Sequence, residues 1–164
     1  MSHFTETKQM PLWAQCIGGL IINFGGTEFL TFVWIRKLAG NDAARKANKD
    51  TLSERIETVI KLVTTSELLA LDKEKAVGLW NEVKGLSQIR NRIAHNPINI
   101  GSQPETGEPV LTIFDLKNAI PGIATPIDAL GIPKIKETAL RVREINLELD
   151  ALIKTVPLNQ SKIA

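Results

Sequence analysis

In the stretch LSQIRNRIAHNP, Leu86 to Pro97, a guanidinium, an amide and an imidazole stand close together as Arg90, Asn91 and His95. A guanidinium presents a fork of N–H donors that fits phosphate oxygens, and histidine exchanges a proton near neutrality. An amide beside them can orient either the anion or the ring. The chain has only two histidines, His3 and His95, so a histidine-rich metal centre is not expected. The chemistry within reach is proton transfer beside a stabilised phosphate, with no metal and no organic cofactor.

The position of Arg90 sharpens this. Apolar residues at Ala76, Leu79, Trp80, Val83, Leu86, Ile89 and Ile93 predict a helix that opens at Asp72. Pro97 stops it, because a residue before proline avoids the helical region. At 100° per residue, with Leu79 at zero, Val83 falls near about 40°, Leu86 near about 340° and Ile93 near about 320°. Arg90 lands at about 20°, inside the apolar arc, where a charge must find a carboxylate, a carbonyl or a phosphate. Asn91 and His95, four residues apart, share the neighbouring polar flank at about 120° and 160°. Fraying or a tightened final turn would swing the imidazole toward Arg90, and Asn96 is a candidate support at that helix end. A purely structural arrangement explains the same residues: Arg90 pairs with Glu28, a charge embedded in the apolar first helix, and His95 sits in the favourable field of the helix C-terminus.

The elements that would hold these residues follow from periodicity. Residues 1–9 are polar and expected to fray. A first helix runs from Pro11 to about Leu38, with Gly40 and Asn41 as stop signals. In it Gly18 and Gly25, like Gly19 and Gly26, recur seven apart and form two notches on nearly the same face, suited to a close helix contact within the chain or across a dimer. Gln15, Asn23 and Glu28 interrupt its apolar run, and a mid-span glutamate is costly in lipid, so a buried helix is expected rather than a membrane span. Asn41–Asp50 is a polar connection or helix start. Leu52, Ile56, Val59, Ile60 and Val63 mark a second helix, with Thr51 or Ser53 as its cap and Glu54 close behind. After the third helix, Ile98 and Ile100, a Pro/Gly turn region, then Val110, Leu111, Ile113 and Phe114 predict a short β-hairpin. The segment NAIPGIATPIDALGIP reads as a broken connection, and Ile135, Leu140, Val142, Ile145, Leu149 and Leu152 as the apolar face of a last helix. The expected architecture is mainly α: an antiparallel four-helix bundle with one hairpin between the third and fourth helices.

Length and composition are compatible with this. At 164 residues, 43% hydrophobic and 23% charged, one domain over 1–164 with a core at about 11–156 is expected. A net charge of +2 makes no field that by itself argues for nucleic acid or membrane. The single cysteine, Cys16, fits a reducing compartment, hence the cytoplasm. There is no GxxxxGK phosphate loop, and no serine or cysteine lies in a nucleophile-elbow motif. The clusters Lys37, Arg45, Lys46, Lys49 and Lys134, Lys136, Arg141, Arg143 read as solvated faces, or as guides for RNA.

The run RNRIAH, placed at the end of the third helix of such a bundle, resembles the signature of the HEPN family: arginine, a polar residue, three further residues, histidine. The likeness spans about Pro11 to Val156 in helix order and is specific only over Arg90 to Pro97. It implies a metal-independent endoribonuclease, a homodimer with two motifs facing each other, and a place in toxin-antitoxin or other defence systems with an antitoxin partner. Arg90, Asn91 and His95 take the motif positions. The alternative is a non-catalytic HEPN-like homodimeric interaction or nucleotide-binding domain.

Overall fold

The computed structural model describes residues 10–102, 106–115 and 125–156. The expected fraying of residues 1–9 lies outside them. Five α-helices and three strands are described: α1 (Met10–Ala39), α2 (Asn41–Lys46), α3 (Leu52–Thr65), α4 (Ala70–His95), β1 (Ile98–Ser102), β2 (Pro109–Asp115), β3 (Thr125–Gly131) and α5 (Ile132–Thr155), with a single 3-10 turn at Ala47–Lys49. The protein is mainly α, as expected. The polar stretch after Gly40, a connection or helix start by its sequence, forms a short helix, α2, and the expected hairpin is extended to a three-stranded antiparallel sheet in the order β1-β2-β3.

The third strand falls in the segment that reads as a broken connection. Pro126 has no N–H to donate, which an edge strand tolerates and a central one does not; β3 is an edge. Its pairing to β2 shifts between Ile113 and Phe114, so Asp128 faces Ile113 while Pro126 faces Phe114. The hairpin itself has the expected alternation: Ile98 pairs with Ile113 and Ile100 with Leu111. On the central strand Leu111 and Ile113 are fully buried while Thr112 between them is not. Residues 118–124 of the expected connection lie outside the described residues.

The chain divides into two compact units. One comprises the N-terminal stretch through Ile22 together with Gln88–Leu140, and it holds the sheet. Trp13, Cys16, Leu20, Ile93, Leu111, Ile113, Leu130 and Ile135 are among its buried apolar side chains. The other comprises Asn23–Ser87 and the chain from Arg141 onward. Its core contains Phe24, Trp34, Ile35, Ile56, Val59, Val63, Trp80, Val83, Ile145 and Leu149. Trp34 and Trp80 meet edge to face, centroids 6.1 Å apart and planes at 89°, the arrangement that the ring quadrupoles favour.

Local chemistry sets the element ends in this second unit. Gly40, at φ 91°, turns the chain out of α1 into α2 with a backbone that residues bearing a Cβ seldom adopt. Of the two cap candidates for α3, Thr51 is the one used. Its Oγ1 accepts from Glu54 N, its own N–H donates to Glu54 Oε2 at 2.7 Å, and this backbone bond holds the Glu54 carboxyl below its ordinary value. Asn146 of α5 donates to the carbonyl of Asn23 at 2.8 Å and accepts from Thr27 at 2.9 Å. Its Nδ2 would lie 3.1 Å from a Cβ added at Gly26, whereas a Cβ at Gly18, Gly19 or Gly25 would meet nothing within 4 Å. Of the four notch glycines, then, only Gly26 serves a close contact with the described residues.

On the surface of this unit Arg141 grips Glu82 with two parallel bonds, Nε to Oε1 at 2.7 Å and Nη2 to Oε2 at 2.8 Å, and also reaches Glu144 at 3.1 Å. The guanidinium lowers the Glu82 carboxyl's pKa from its ordinary 4.5, against a smaller opposing effect of burial. A carboxyl depressed in the folded state adds stability above its unfolded pKa and loses it as pH falls through the folded one. Both side chains are partly exposed, so screening limits the contribution to roughly 0.5–1 kcal/mol. Glu82→Gln is therefore expected to lower the melting temperature slightly at pH 7, and the difference from the parent should shrink as the pH falls below 4.5 and through the lowered value of the folded state. Thermal melts across that range check it.

Candidate functional site

The motif lies at the C-terminal end of α4, in the unit that holds the sheet. Its helix stops where Pro97 requires, and the chain enters β1 at once: the Pro97 carbonyl accepts from Phe114 N of β2 at 3.0 Å. Asn96 donates from Nδ2 to the Arg92 carbonyl at 2.9 Å and so satisfies one of the carbonyls that the helix end leaves open. Arg92 in turn donates from Nη1 to Asp128 Oδ2 of β3 at 2.7 Å, fastening the helix end to the sheet. Arg92 and Asp128 are absent from the sequence-derived site. The signal in the sequence was faint: Arg92 lies on the polar face between motif residues, and Asp128 sits in a stretch that reads as a turn.

Arg90 and Asn91 are brought together. Arg90 Nη1 donates to Asn91 Oδ1 at 2.9 Å, which turns the guanidinium along the helix surface and leaves the amide nitrogen of Asn91 as a donor. Arg90 is half-buried, with Nε shielded from solvent, and Asn91 is exposed. The position of Arg90 inside the apolar arc thus translates into a half-covered side chain, with Nε shielded and Nη1 on the Asn91 amide.

His95 is exposed and is the last residue of α4. Here the expectation of a frayed final turn is corrected: the helix stays regular through His95. A regular α-helix directs side chains five residues apart about 140° from each other around its axis, so the imidazole does not swing to the guanidinium within one helix. The reason is the Asn96 cap together with the immediate start of β1, which hold the last turn in place.

Glu28, the candidate support, lies in the other unit, where its carboxylate is 3.5 Å from Arg55 Nη2. Arg55 is the buried cation there, with 8% of its side chain exposed. It donates to Thr31 Oγ1 at 3.2 Å and to the Asp50 carbonyl at 2.6 Å, and its guanidinium lies 4.7 Å from the centre of the Phe32 ring. Among the described residues no group of three His, Cys, Asp or Glu is placed to hold a metal ion.

Helix α1 carries a buried stripe at Trp13, Cys16, Leu20, Phe24, Leu30 and Trp34, while Ile22 and Phe29 are 74% and 67% exposed. It is long and apolar enough, by length and composition, to cross a membrane; the core helix of a soluble protein passes the same test.

No family model, curated protein or solved structure matches this chain.

Proposed function

We propose that this chain is a HEPN-type module that cleaves RNA without a metal ion, acting in the cytoplasm as a homodimer. The observation that carries the reading is the pairing of Arg90 with Asn91 at 2.9 Å on the surface end of a helix whose last residue is an exposed histidine. Cleavage by this route needs a base to take the proton of the 2′-hydroxyl, an acid to give one to the leaving 5′-oxygen, and positive charge on the phosphate between them. Arg90 supplies the charge through a planar fork, with the Asn91 amide as a further donor to the phosphate. His95 supplies the proton transfer. Because a regular helix keeps Arg90 and His95 of one chain apart, the reading requires a two-fold dimer in which the imidazole of one protomer serves the phosphate held by its partner, and a second imidazole completes the acid–base pair. A place in a toxin-antitoxin or other defence system, with a protein antitoxin, belongs to the same proposal, as does the HEPN-like bundle arrangement of the helices.

The test is RNA cleavage in EDTA by the purified full-length chain, on a homopolymer and on a structured RNA. Light scattering on the same sample should give twice the monomer mass. A strict monomer that cleaves RNA would contradict the shared site.

The angle between Arg90 and His95 favours one second reading, a non-catalytic interaction or nucleotide-binding module in which Arg90 and Asn91 hold a phosphate and His95 does no chemistry. RNA or nucleotide bound without turnover, with His95→Ala binding as the parent does, is the result that selects it.

A further inference from the structure

A second candidate site lies on the helical unit, independent of the Arg90 motif. Gly40 turns the chain from α1 into α2, and residues of the two helices together line a groove of about 670 Å³. Its α1 wall presents Phe29, Phe32, Val33 and Arg36, one helical face by their spacing, and its other wall presents Ala44 and Arg45. This size, with a mainly apolar lining and a few polar groups, is that of small-molecule sites, which run about 300–1,000 Å³. Phe29 is 67% exposed, a large aromatic surface that water disfavours and an apolar ligand would cover.

The charges at the rim select among ligands. Asp42 is bonded to Arg45 and largely neutralises it. Arg36 is exposed, and its guanidinium has no ion pair or side-chain hydrogen bond among the described residues. The two amides that complete the lining, Asn41 and Asn48, carry no charge. Among the described residues the groove therefore combines an apolar floor with the unneutralised guanidinium of Arg36 at its edge. We infer that it binds a small amphipathic anion: an aliphatic or flat apolar body seated against Phe29, Phe32, Val33 and Ala44, with its carboxylate on Arg36. The Phe32 side of the floor is firm, because that ring is held under the buried Arg55 guanidinium at 4.7 Å.

The probes are decanoate and 1-decanol, matched in chain length and differing in charge, titrated below micelle formation into isotopically labelled full-length protein while backbone amide resonances are followed. Decanoate should shift the amides of Phe29 to Asn48 saturably and bind about tenfold tighter than decanol, the scale of one partly exposed charge-assisted contact. Arg36→Gln should remove that difference and leave decanol binding unchanged. Ala44→Trp, which fills the groove from a partly exposed position, should abolish binding of both; if that variant fails to fold by circular dichroism, Asn48→Trp replaces it. Equal affinity for the two probes, shifts located elsewhere, or no saturable shift overturns the proposal. So does a self-association that Ala44→Trp dissolves, because a second copy would then be the occupant.

Discussion

Replacing Arg55 by alanine is expected to destabilise the protein by about 3 kcal/mol, the lower end of what breaking a buried ion pair costs. The guanidinium is the buried partner in that contact; Glu28 retains 33% of its side-chain exposure and can recover some hydration, which keeps the loss from being larger. The Asp50 carbonyl and Thr31 Oγ1 lose a charged donor at the same time, and the Phe32 ring loses the cation 4.7 Å from its centre. Arg55→Met separates these contributions. It retains an unbranched stem against Phe32 while removing the charge, so it should recover part of the loss if packing matters and none if the polar contacts dominate. Urea titrations of the three proteins give the comparison. A change below about 1 kcal/mol for Arg55→Ala would mean that solvent replaces the guanidinium at little cost.

His95→Ala carries the largest expected effect on activity. A positioned acid or base contributes about 10²–10⁴-fold, so cleavage should fall by at least two orders of magnitude. The fold should scarcely notice, since His95 is exposed and its contribution at the helix end is a dipole interaction of roughly 0.3–1 kcal/mol. Arg90→Ala should lower cleavage by about 10²–10³-fold, the loss that follows removal of one preorganised donor to a developing charge. Arg90→Lys should restore little, because an ammonium is a point charge and cannot reproduce the planar fork that reaches Asn91 Oδ1 and a phosphate together. If Arg90→Lys cleaves as the parent does, charge alone suffices and the fork geometry is irrelevant.

How much of this was legible from residues alone depends on the range of the interaction. The helix that carries the motif was readable because both of its signals are local: apolar residues at Ala76, Leu79, Trp80, Val83 and Ile93, and a proline two residues beyond His95. The hairpin was readable from the alternation of Ile98 and Ile100 and the apolar residues from Val110 to Phe114, while its register, Ile98 against Ile113, was not. The third strand was not. Thr125–Gly131 carries a proline, an aspartate and a glycine, the residues that usually mark turns, and only pairing with β2 and the Arg92 ion pair overrides them. Nor was the pairing of Glu28 with Arg55, because those residues stand 27 positions apart in sequence and no periodicity within either helix encodes which cation reaches which carboxylate. The regular last turn of α4 was likewise out of reach: the Asn96 cap and the bond from Phe114 to Pro97 decide it, and the second of these spans the sheet.

In the proposed reaction His95 moves a proton during RNA cleavage without metal, and the ends of the product report on that step. The parent and His95→Ala, each confirmed folded by circular dichroism, are incubated in EDTA with a defined single-stranded RNA, and the 3′ ends of the fragments are analysed. Attack by the 2′-hydroxyl forms its bond to phosphorus as the 5′-oxygen leaves with a proton, so the parent should release fragments ending in a 2′,3′-cyclic phosphate together with free 5′-hydroxyls, and His95→Ala should release almost none. Cyclic-phosphate ends formed at the parental rate by His95→Ala, or fragments from the parent that bear a 5′-phosphate and appear only when a divalent cation is restored, would contradict the account.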